Sequence, residues 1–192
     1  MNLDLEGRVC VVVGDTRGIA AATARMLSQE GARVLTAARE GADIELDVTV
    51  PDAGARVLEA CPEPPWALVS SPGTLETAPG QGLSDADWQA RFEQHVMAPM
   101  RLMRALAPAM VDAGGGRVVN VSSVAGVMRA AELSLSRLFA EAFAARGVLV
   151  NSVTPGAVED QAAAVIAFLC SEQASNVTGA AWAVDGRSLP AV

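Results

Sequence analysis

Ser123 is the residue whose position most directly indicates chemistry. It ends the segment GGGRVVNVSS (residues 114–123), in which a glycine turn leads into an apolar run that predicts a buried strand. A serine at the end of such a strand can polarise a carbonyl or share a proton if an acid or base lies nearby. The partner of Ser123 therefore decides whether this chain has an active site.

Two side chains, those of Arg129 and His95, could act as partners of Ser123. Arg129 keeps its positive charge and cannot release a proton near neutral pH. His95, the only histidine, is of a type that can act as an acid or a base, although a histidine at an interface or partly exposed at the surface is the more common situation. The chain contains no tyrosine. Ser123 and Arg129 are the candidate catalytic positions, and neither supplies a recognisable acid.

The segment GDTRGIA (residues 14–20) predicts a phosphate-binding turn between a strand and a helix. Glycines let the backbone approach a pyrophosphate, and the N-terminus of a helix favours its charge. Arg39 with Arg17 could hold the 2′-phosphate of NADP, and two solvated surface arginines are the equally weighted alternative. Asp15 opposes phosphate binding because it places a carboxylate in the turn.

Strands alternate with helices along the chain. This pattern predicts right-handed βαβ units and an α/β fold of three layers, a Rossmann-like doubly wound parallel sheet in a single domain over residues 1–192. The expected strand order is 3-2-1-4-5-6-7. Strands are predicted at residues 8–14, 33–39, 42–48, 66–73, 114–123, 147–153 and 180–186. Helices are predicted at residues 16–31 and 51–61, from about 84 to 111, from the serine segment to about 145, and near 162–170.

The composition fits one such domain and excludes some partners. The 192 residues are 51% hydrophobic, which is enough for a core. The net charge of −8 argues against nucleic acid and against anionic membranes. Cys10, Cys61 and Cys170 lack metal-ligand spacing and predict buried thiols in a reducing cytoplasm. Neither a secretory leader nor an apolar run of membrane-spanning length is evident, so a cytoplasmic location is expected.

Nearly the whole chain resembles the short-chain dehydrogenase/reductase (SDR) family, as a shortened and degenerate member similar to 3-oxoacyl-thioester reductases. The turn at residues 14–20 is similar to the family's TGxxxGxG, with Val13 for the threonine and Ala20 for the last glycine. WALVSSPG stands where the family has NNAG. HVMAPMRLMRALAPAM resembles its long interface helix, GGGRVVNVSSVAG its serine strand, and VTPG its Pro-Gly near the nicotinamide.

The resemblance implies a catalytic Asn–Ser–Tyr–Lys group in which tyrosine is the acid or base. Ser123 matches the serine, and His95 falls at or beside the asparagine. An ungapped alignment places Arg129 at the lysine and Ala125 at the tyrosine. A rival alignment places Leu133 at the tyrosine, at the cost of about two turns of helix. Neither alignment restores the missing acid.

The resemblance also implies NADP as the cofactor, if any binds. Pro72 removes a backbone donor from the NNAG segment, and Asp160 replaces a threonine that contacts the cofactor in the family. The substrate lid expected after Gly156 is missing, because the chain passes almost at once into the next helix. The implied cofactor-binding residues are Gly14, Thr16, Arg17, Gly18, Ile19, Arg39, Asp47, Val48, Gly73, Pro155 and Gly156.

These departures leave three functions open. The first is a noncatalytic or weakly active subunit that partners an active NAD(P)-dependent reductase. The second is an NADP-dependent carbonyl or 3-oxoacyl oxidoreductase with altered catalytic residues. The third is a nicotinamide-independent reaction in the remaining cleft. The sequence names no substrate.

Two long helices favour the partner function. The helices at residues 91–111 and 127–145 carry apolar side chains around more of their circumference than one sheet face covers, and a large exposed apolar patch usually marks an interface. We therefore expect a homo- or hetero-oligomer joined through these helices, with itself or with a full-length SDR homologue. The apolar residues are Phe92, Val96, Met97, Met100, Met103, Leu106, Met110, Val127, Leu135, Leu138, Phe139 and Phe143.

Overall fold

A computed structural model describes residues 2–73, 82–122 and 128–186 of the chain. Within these residues, seven strands form one sheet in the order β3-β2-β1-β4-β5-β6-β7, and every neighbouring pair is parallel. The predicted doubly wound parallel sheet and its strand order are confirmed. The strands are β1 (Val9–Gly14), β2 (Arg33–Ala38), β3 (Ile44–Glu45), β4 (Ala67–Ser71), β5 (Gly116–Val121), β6 (Val148–Pro155) and β7 (Ala181–Val184). The helices are α1 (Gly18–Gln29), α2 (Ala53–Ala60), α3 (Asp85–Phe92), α4 (Ala98–Asp112), α5 (Arg129–Phe143) and α6 (Glu159–Leu169).

Strand β1 shows why the sheet is covered on both faces. Its successive side chains point to opposite faces, so Cys10 and Val12 enter one core while Val11 and Val13 enter the other. The first core lies beneath α1 and α6, and the second lies beneath α2, α4 and α5. A strand buried on both faces is apolar at nearly every position, which explains the continuous valine run.

The long helix predicted from residue 84 to 111 is divided into three parts. Ser84 caps α3, its hydroxyl accepting from the Asp87 N–H while the Asp87 carboxylate accepts in return. A π-helical turn, Glu93–Met97, then joins α3 to α4. Pro99 has no N–H to bond the carbonyl of His95, so the α-helical pattern cannot continue there. Turns of this kind are frequent at functional sites.

Strand β3 is much shorter than the predicted residues 42–48. Asp47 ends it, because the Asp47 carboxylate accepts hydrogen bonds from the N–H and the hydroxyl of Thr49 at 2.9 and 2.7 Å. An Asx turn of this kind offers the backbone an alternative to the ladder. Only Ile44 and Glu45 pair with β2.

The connections at the carboxyl ends of β5 and β6 are short. Strand β5 ends at Val121 and α5 begins at Arg129. Three residues, 156–158, connect β6 to α6, so no long segment intervenes at the place where the family carries its lid.

The core accounts for part of the apolar surface expected at an interface. Met103, Leu106 and Met110 of α4 are fully buried against the chain's own sheet. These three side chains are therefore unavailable to a partner, contrary to their inclusion in the predicted interface. Val127 lies outside the described residues.

The cysteines are only partly as expected. Cys10 and Cys170 are buried, and burial raises the pKa of the Cys10 thiol to about 12. Cys61 is only half-buried, because it lies just beyond the last turn of α2 at the edge of the core.

Candidate functional site

A small cleft, open to solvent on one side, lies at the carboxyl ends of β4 and β5. Loops at this edge of a parallel sheet carry the functional groups of many α/β proteins. Helices α4 and α5 close the other side of the cleft. Its lining residues are Ser70, Pro72, His95, Pro99, Asn120, Val121, Glu132 and Leu135.

Three polar side chains from three elements meet at this cleft. Ser122 follows β5, Glu132 lies in the first turn of α5, and His95 occupies the π-helical turn. The Ser122 hydroxyl donates to Glu132 Oε2, and His95 Nδ1 lies 3.0 Å from Glu132 Oε1. The Glu132 side chain is 8% exposed and that of His95 is 22% exposed. A nearly buried carboxylate is thus shared by a hydroxyl and an imidazole.

Gly73 makes room for the imidazole. A Cβ placed on Gly73 would lie 2.6 Å from Cε1 of His95, and φ of Gly73 is +155°. A glycine is needed where the ring approaches the backbone so closely. Gly73, a predicted cofactor contact, thus packs directly against the side chain of His95.

Two buried polar atoms beside this cluster lack a hydrogen-bond partner among the described residues. They are the hydroxyl of Ser70 and Oδ1 of Asn120, whose Cα atoms are directly paired across β4 and β5. The amide nitrogen of Asn120 donates to the Ser136 hydroxyl at 2.9 Å. Unsatisfied buried polar groups are costly and require an explanation, such as a ligand.

The predicted phosphate turn has a suitable backbone. Gly14 packs so closely against Ser71 and Ala20 that a Cβ would approach the Ser71 carbonyl oxygen to 2.7 Å. Gly18 has φ of +63°, a conformation that favours glycine. No side chain caps α1, whose first turn begins at Gly18. These N–H groups could meet a pyrophosphate.

Charges of both signs lie around this turn. Asp15 binds Arg17 at 3.3 Å, and Asp160 binds Arg25 at 3.1 Å, so α6 brings its acidic first turn to α1. Oε1 of Glu159 lies 3.8 Å from the position of a Cβ on Gly18. The carboxylates oppose an anion at the turn, and the two arginines partly offset them. Whether a dinucleotide binds here remains a prediction.

The comparison with known proteins identifies the family. A model described as short chain dehydrogenase matches residues 8–167. The chain belongs to the short-chain dehydrogenase family. Among its SDR relatives, the 3-oxoacyl-[acyl-carrier-protein] reductase FabG of Vibrio cholerae is 27% identical over 239 aligned positions, covering 96% of this chain and 98% of the relative. The uncharacterized oxidoreductase YvrD of Bacillus subtilis is 30% identical, covering 81% of this chain and 70% of the relative.

Solved SDR structures share the fold. The L-sorbose reductase of Gluconobacter frateurii, complexed with NADPH and L-sorbose, superposes with a TM-score of 0.92 at 24% identity, covering 100% of both chains. A crystal structure titled as a short-chain dehydrogenase/reductase of Burkholderia xenovorans gives a TM-score of 0.85 at 22% identity, with 95% of this chain and 96% of that chain covered. At this identity the likeness establishes the fold.

The described structure does not test the predicted pairing of Ser123 with Arg129. Ser123, and Ala125 at the tyrosine position, lie outside the described residues. Arg129 is the first residue of α5. Whether these positions act in catalysis remains a prediction.

The predicted cofactor residues lie along the carboxyl edge of the sheet. Arg39 is exposed just after β2, where it helps Thr49 to hold the pKa of Asp47 below its ordinary value. Gly156 packs against the backbone of Asp185 beyond β7. Ile19 is partly buried against the core. Thr16 and Arg17 are exposed in the turn, Val48 follows β3, and Pro155 ends β6.

Sequence reasoning missed Ser122 and Glu132. The signal for Glu132 lies in α5, where Glu132, Ser136 and Ala140 recur at four-residue spacing on the buried face. A carboxylate on a buried helical face requires a partner. Ser122 was missed because the family resemblance places the catalytic serine at Ser123.

Two features are absent from the described part of the chain. None of its helices is long and apolar enough to cross a bilayer. It holds no group of three or more His, Cys, Asp or Glu side chains placed to bind a metal ion.

Proposed function

We propose that this SDR chain is noncatalytic or weakly active in hydride transfer and serves as a subunit that partners an active NAD(P)-dependent reductase. The absence of tyrosine from the whole chain carries the proposal. Lysine is absent as well, since all 14 residues counted as Lys or Arg are arginines. The proton donor implied by the family resemblance has no counterpart, and Arg129 stands at the position of the lysine that supports it.

Weak cofactor binding is part of this proposal. The carboxylates of Asp15, Glu159 and Asp160 oppose a pyrophosphate, so NADP(H) is expected to bind weakly or not at all. Calorimetric titration tests this expectation, and an affinity in the low micromolar range or tighter contradicts it. Where binding is measurable, NADP(H) is favoured over NAD(H), and Arg39→Ala narrows that preference.

An exposed apolar stripe on α5 supports the partner role. Leu138 is 64% exposed, the largest value among the exposed large apolar side chains of the described residues. Ala142 is exposed one turn further along, and Leu135 and Phe139 beside Leu138 are partly covered by the chain's own core. The buried face of α5 carries Glu132, Ser136 and Ala140. Apolar side chains outside the buried face of a helix are expected where the helix also packs against a partner.

The test compares the chain alone with the chain in its native host. We expect no carbonyl reductase turnover with NADPH on acyl-thioester, steroid or quinone substrates. A tagged copy is expected to copurify with a full-length SDR homologue, identified by mass spectrometry. Robust turnover by the isolated chain contradicts the proposal. Survival of that turnover in Ser123→Ala would further show that the family mechanism does not apply.

A second candidate is an NADP-dependent carbonyl or 3-oxoacyl oxidoreductase with altered residues. It is favoured by the names of the FabG relatives and by an acid–base pair, His95 and Glu132, at the cleft. In this case NADPH oxidation with a 3-oxoacyl thioester is measurable and falls in His95→Gln. The absence of oxidation in the wild-type protein excludes this candidate.

A further inference from the structure

The contacts of Glu132 leave one nitrogen of His95 for chemistry. An ionised carboxylate only accepts hydrogen bonds, so His95 Nδ1 donates to Oε1 as the Ser122 hydroxyl donates to Oε2. In the neutral ring, Nε2 then carries the lone pair. A carboxylate that fixes the tautomer of an imidazole and stabilises its protonated form is the arrangement of a general base.

The cleft around this ring indicates the ligand. The walls of the cleft are largely apolar and are formed by Pro72, Pro99, Val121 and Leu135. Such walls favour a small, mostly apolar molecule. The unpartnered Ser70 hydroxyl can donate to a carbonyl oxygen. The buried Glu132 carboxylate disfavours an anion, because like charges repel strongly where water is excluded. A small neutral ketone or aldehyde matches all three features.

We infer that His95, oriented by Glu132, transfers protons to and from the carbon beside a carbonyl group, without a nicotinamide cofactor. Nε2 takes the proton, the C–H electron pair forms the C=C bond of an enol or enolate, and the carbonyl π pair moves to oxygen. The Ser70 hydroxyl and the positive charge of the imidazolium formed in the same step stabilise the charge on that oxygen. Return of a proton from Nε2 to carbon completes the cycle, so no oxidant or reductant is consumed.

The roles of the residues follow from their contacts. His95 is assigned as the catalytic residue, because its ring lines the cleft and Nε2 is the ring nitrogen that does not contact Glu132. Glu132 and Ser122 are positioning residues, because Glu132 holds the ring and Ser122 holds Glu132. The 22% exposure of the His95 side chain lets its proton exchange with solvent. This activity is independent of the proposed partner role, since hydride transfer and proton transfer are measured separately.

The test is deuterium exchange of cyclohexanone in D₂O, followed by proton NMR without cofactor. The wild-type chain is expected to speed exchange beside the carbonyl over a matched buffer, and His95→Gln to remove roughly a 10²–10⁴-fold contribution. Glu132→Gln keeps the shape, removes the charge and lowers the rate, while Glu132→Asp restores part of it. Glu141→Gln, a matched exposed glutamate on the same helix, leaves the rate unchanged. An unaccelerated wild type, or an active His95→Gln, overturns the inference.

A second measurement needs no variant. Because the chain has one histidine, ¹⁵N-histidine labelling gives one pair of ring-nitrogen signals. A protonated Nδ1 and a bare Nε2 in the neutral ring are expected. A neutral ring protonated at Nε2 instead would overturn the role of Glu132, even if deuterium exchange of the ketone is observed.

Discussion

The imidazole of His95 leaves no room for a side chain on Gly73, and this contact gives a residue-scale prediction. Gly73→Ala brings a Cβ within 2.6 Å of Cε1 and is expected to displace the ring from Glu132. The ¹⁵N signals of His95 should lose the fixed tautomer, and the protein should be destabilised by about 1–3 kcal/mol in urea unfolding.

Gly7→Ala is the control for backbone strain without a collision. Gly7 has φ of +71°, and a Cβ there meets nothing within 4 Å. Gly7→Ala should destabilise the fold and leave the ¹⁵N signals of His95 unchanged. Unchanged His95 signals in Gly73→Ala would contradict the close packing of the ring against this backbone.

Asp43 provides a prediction about pH. The backbone N–H and hydroxyl of Thr36 donate to its carboxylate at 2.9 and 2.7 Å, which lowers the pKa of Asp43. Because the pKa of Asp43 is lower in the folded state, its ionised form stabilises the fold at pH values above the pKa of the unfolded state. This stabilisation is lost as the pH falls through the folded-state pKa. Thr36→Val removes the hydroxyl bond, so NMR titration should give a higher Asp43 pKa. The stability difference from wild type should shrink on acidification, and a constant difference would contradict the assignment.

At the scale of elements, a stack of side chains joins the amino ends of three strands. The guanidinium groups of Arg8 and Arg117 lie 3.8 and 4.5 Å from the ring of Trp66. Both also bind Glu172, at 3.2 and 2.9 Å. Parallel strands place this stack at the edge opposite the cleft, so its role is stability.

Removing the Glu172 charge tests this role. Arg117 has a side-chain exposure of 5%, and Glu172→Gln leaves its charge without a counter-ion. We expect a loss of about 1–3 kcal/mol in urea unfolding, since Glu172 itself is partly exposed. Glu63→Gln, which breaks an exposed pair with Arg33, should cost about 0–1 kcal/mol. Equal losses of stability in Glu172→Gln and Glu63→Gln would show that Glu172 contributes no more in the stack than an exposed surface ion pair does.

At the scale of the whole molecule, the exposed stripe on α5 predicts an oligomer. Leu138→Glu places a charge at its centre and is expected to reduce the molar mass measured by light scattering. Met100→Glu on α4 should act similarly, although Met100 is partly covered. Ala55→Glu on the exposed side of α2 is the control and should leave the mass unchanged. A wild-type monomer that also fails to bind a full-length homologue removes the partner proposal.

The sequence predicted the fold well because its signals are local. A valine run ended by glycine, as in β1, is recognisable wherever it occurs, and alternation with helices allows few topologies. The division of the long helix was less predictable. Pro99 marks the break, but the π-helical form depends on how α4 packs under the sheet.

By itself, the sequence determined the family, the order of the sheet and the loss of tyrosine, because these depend on residue types and their order along the chain. Only the tertiary structure decided that Glu132 meets His95 and Ser122. His95 is 37 residues from Glu132 in the chain, and Ser122 adjoins the serine that the resemblance indicates. Their meeting depends on how β5, α5 and the π-helical turn pack together, which residue types alone do not specify.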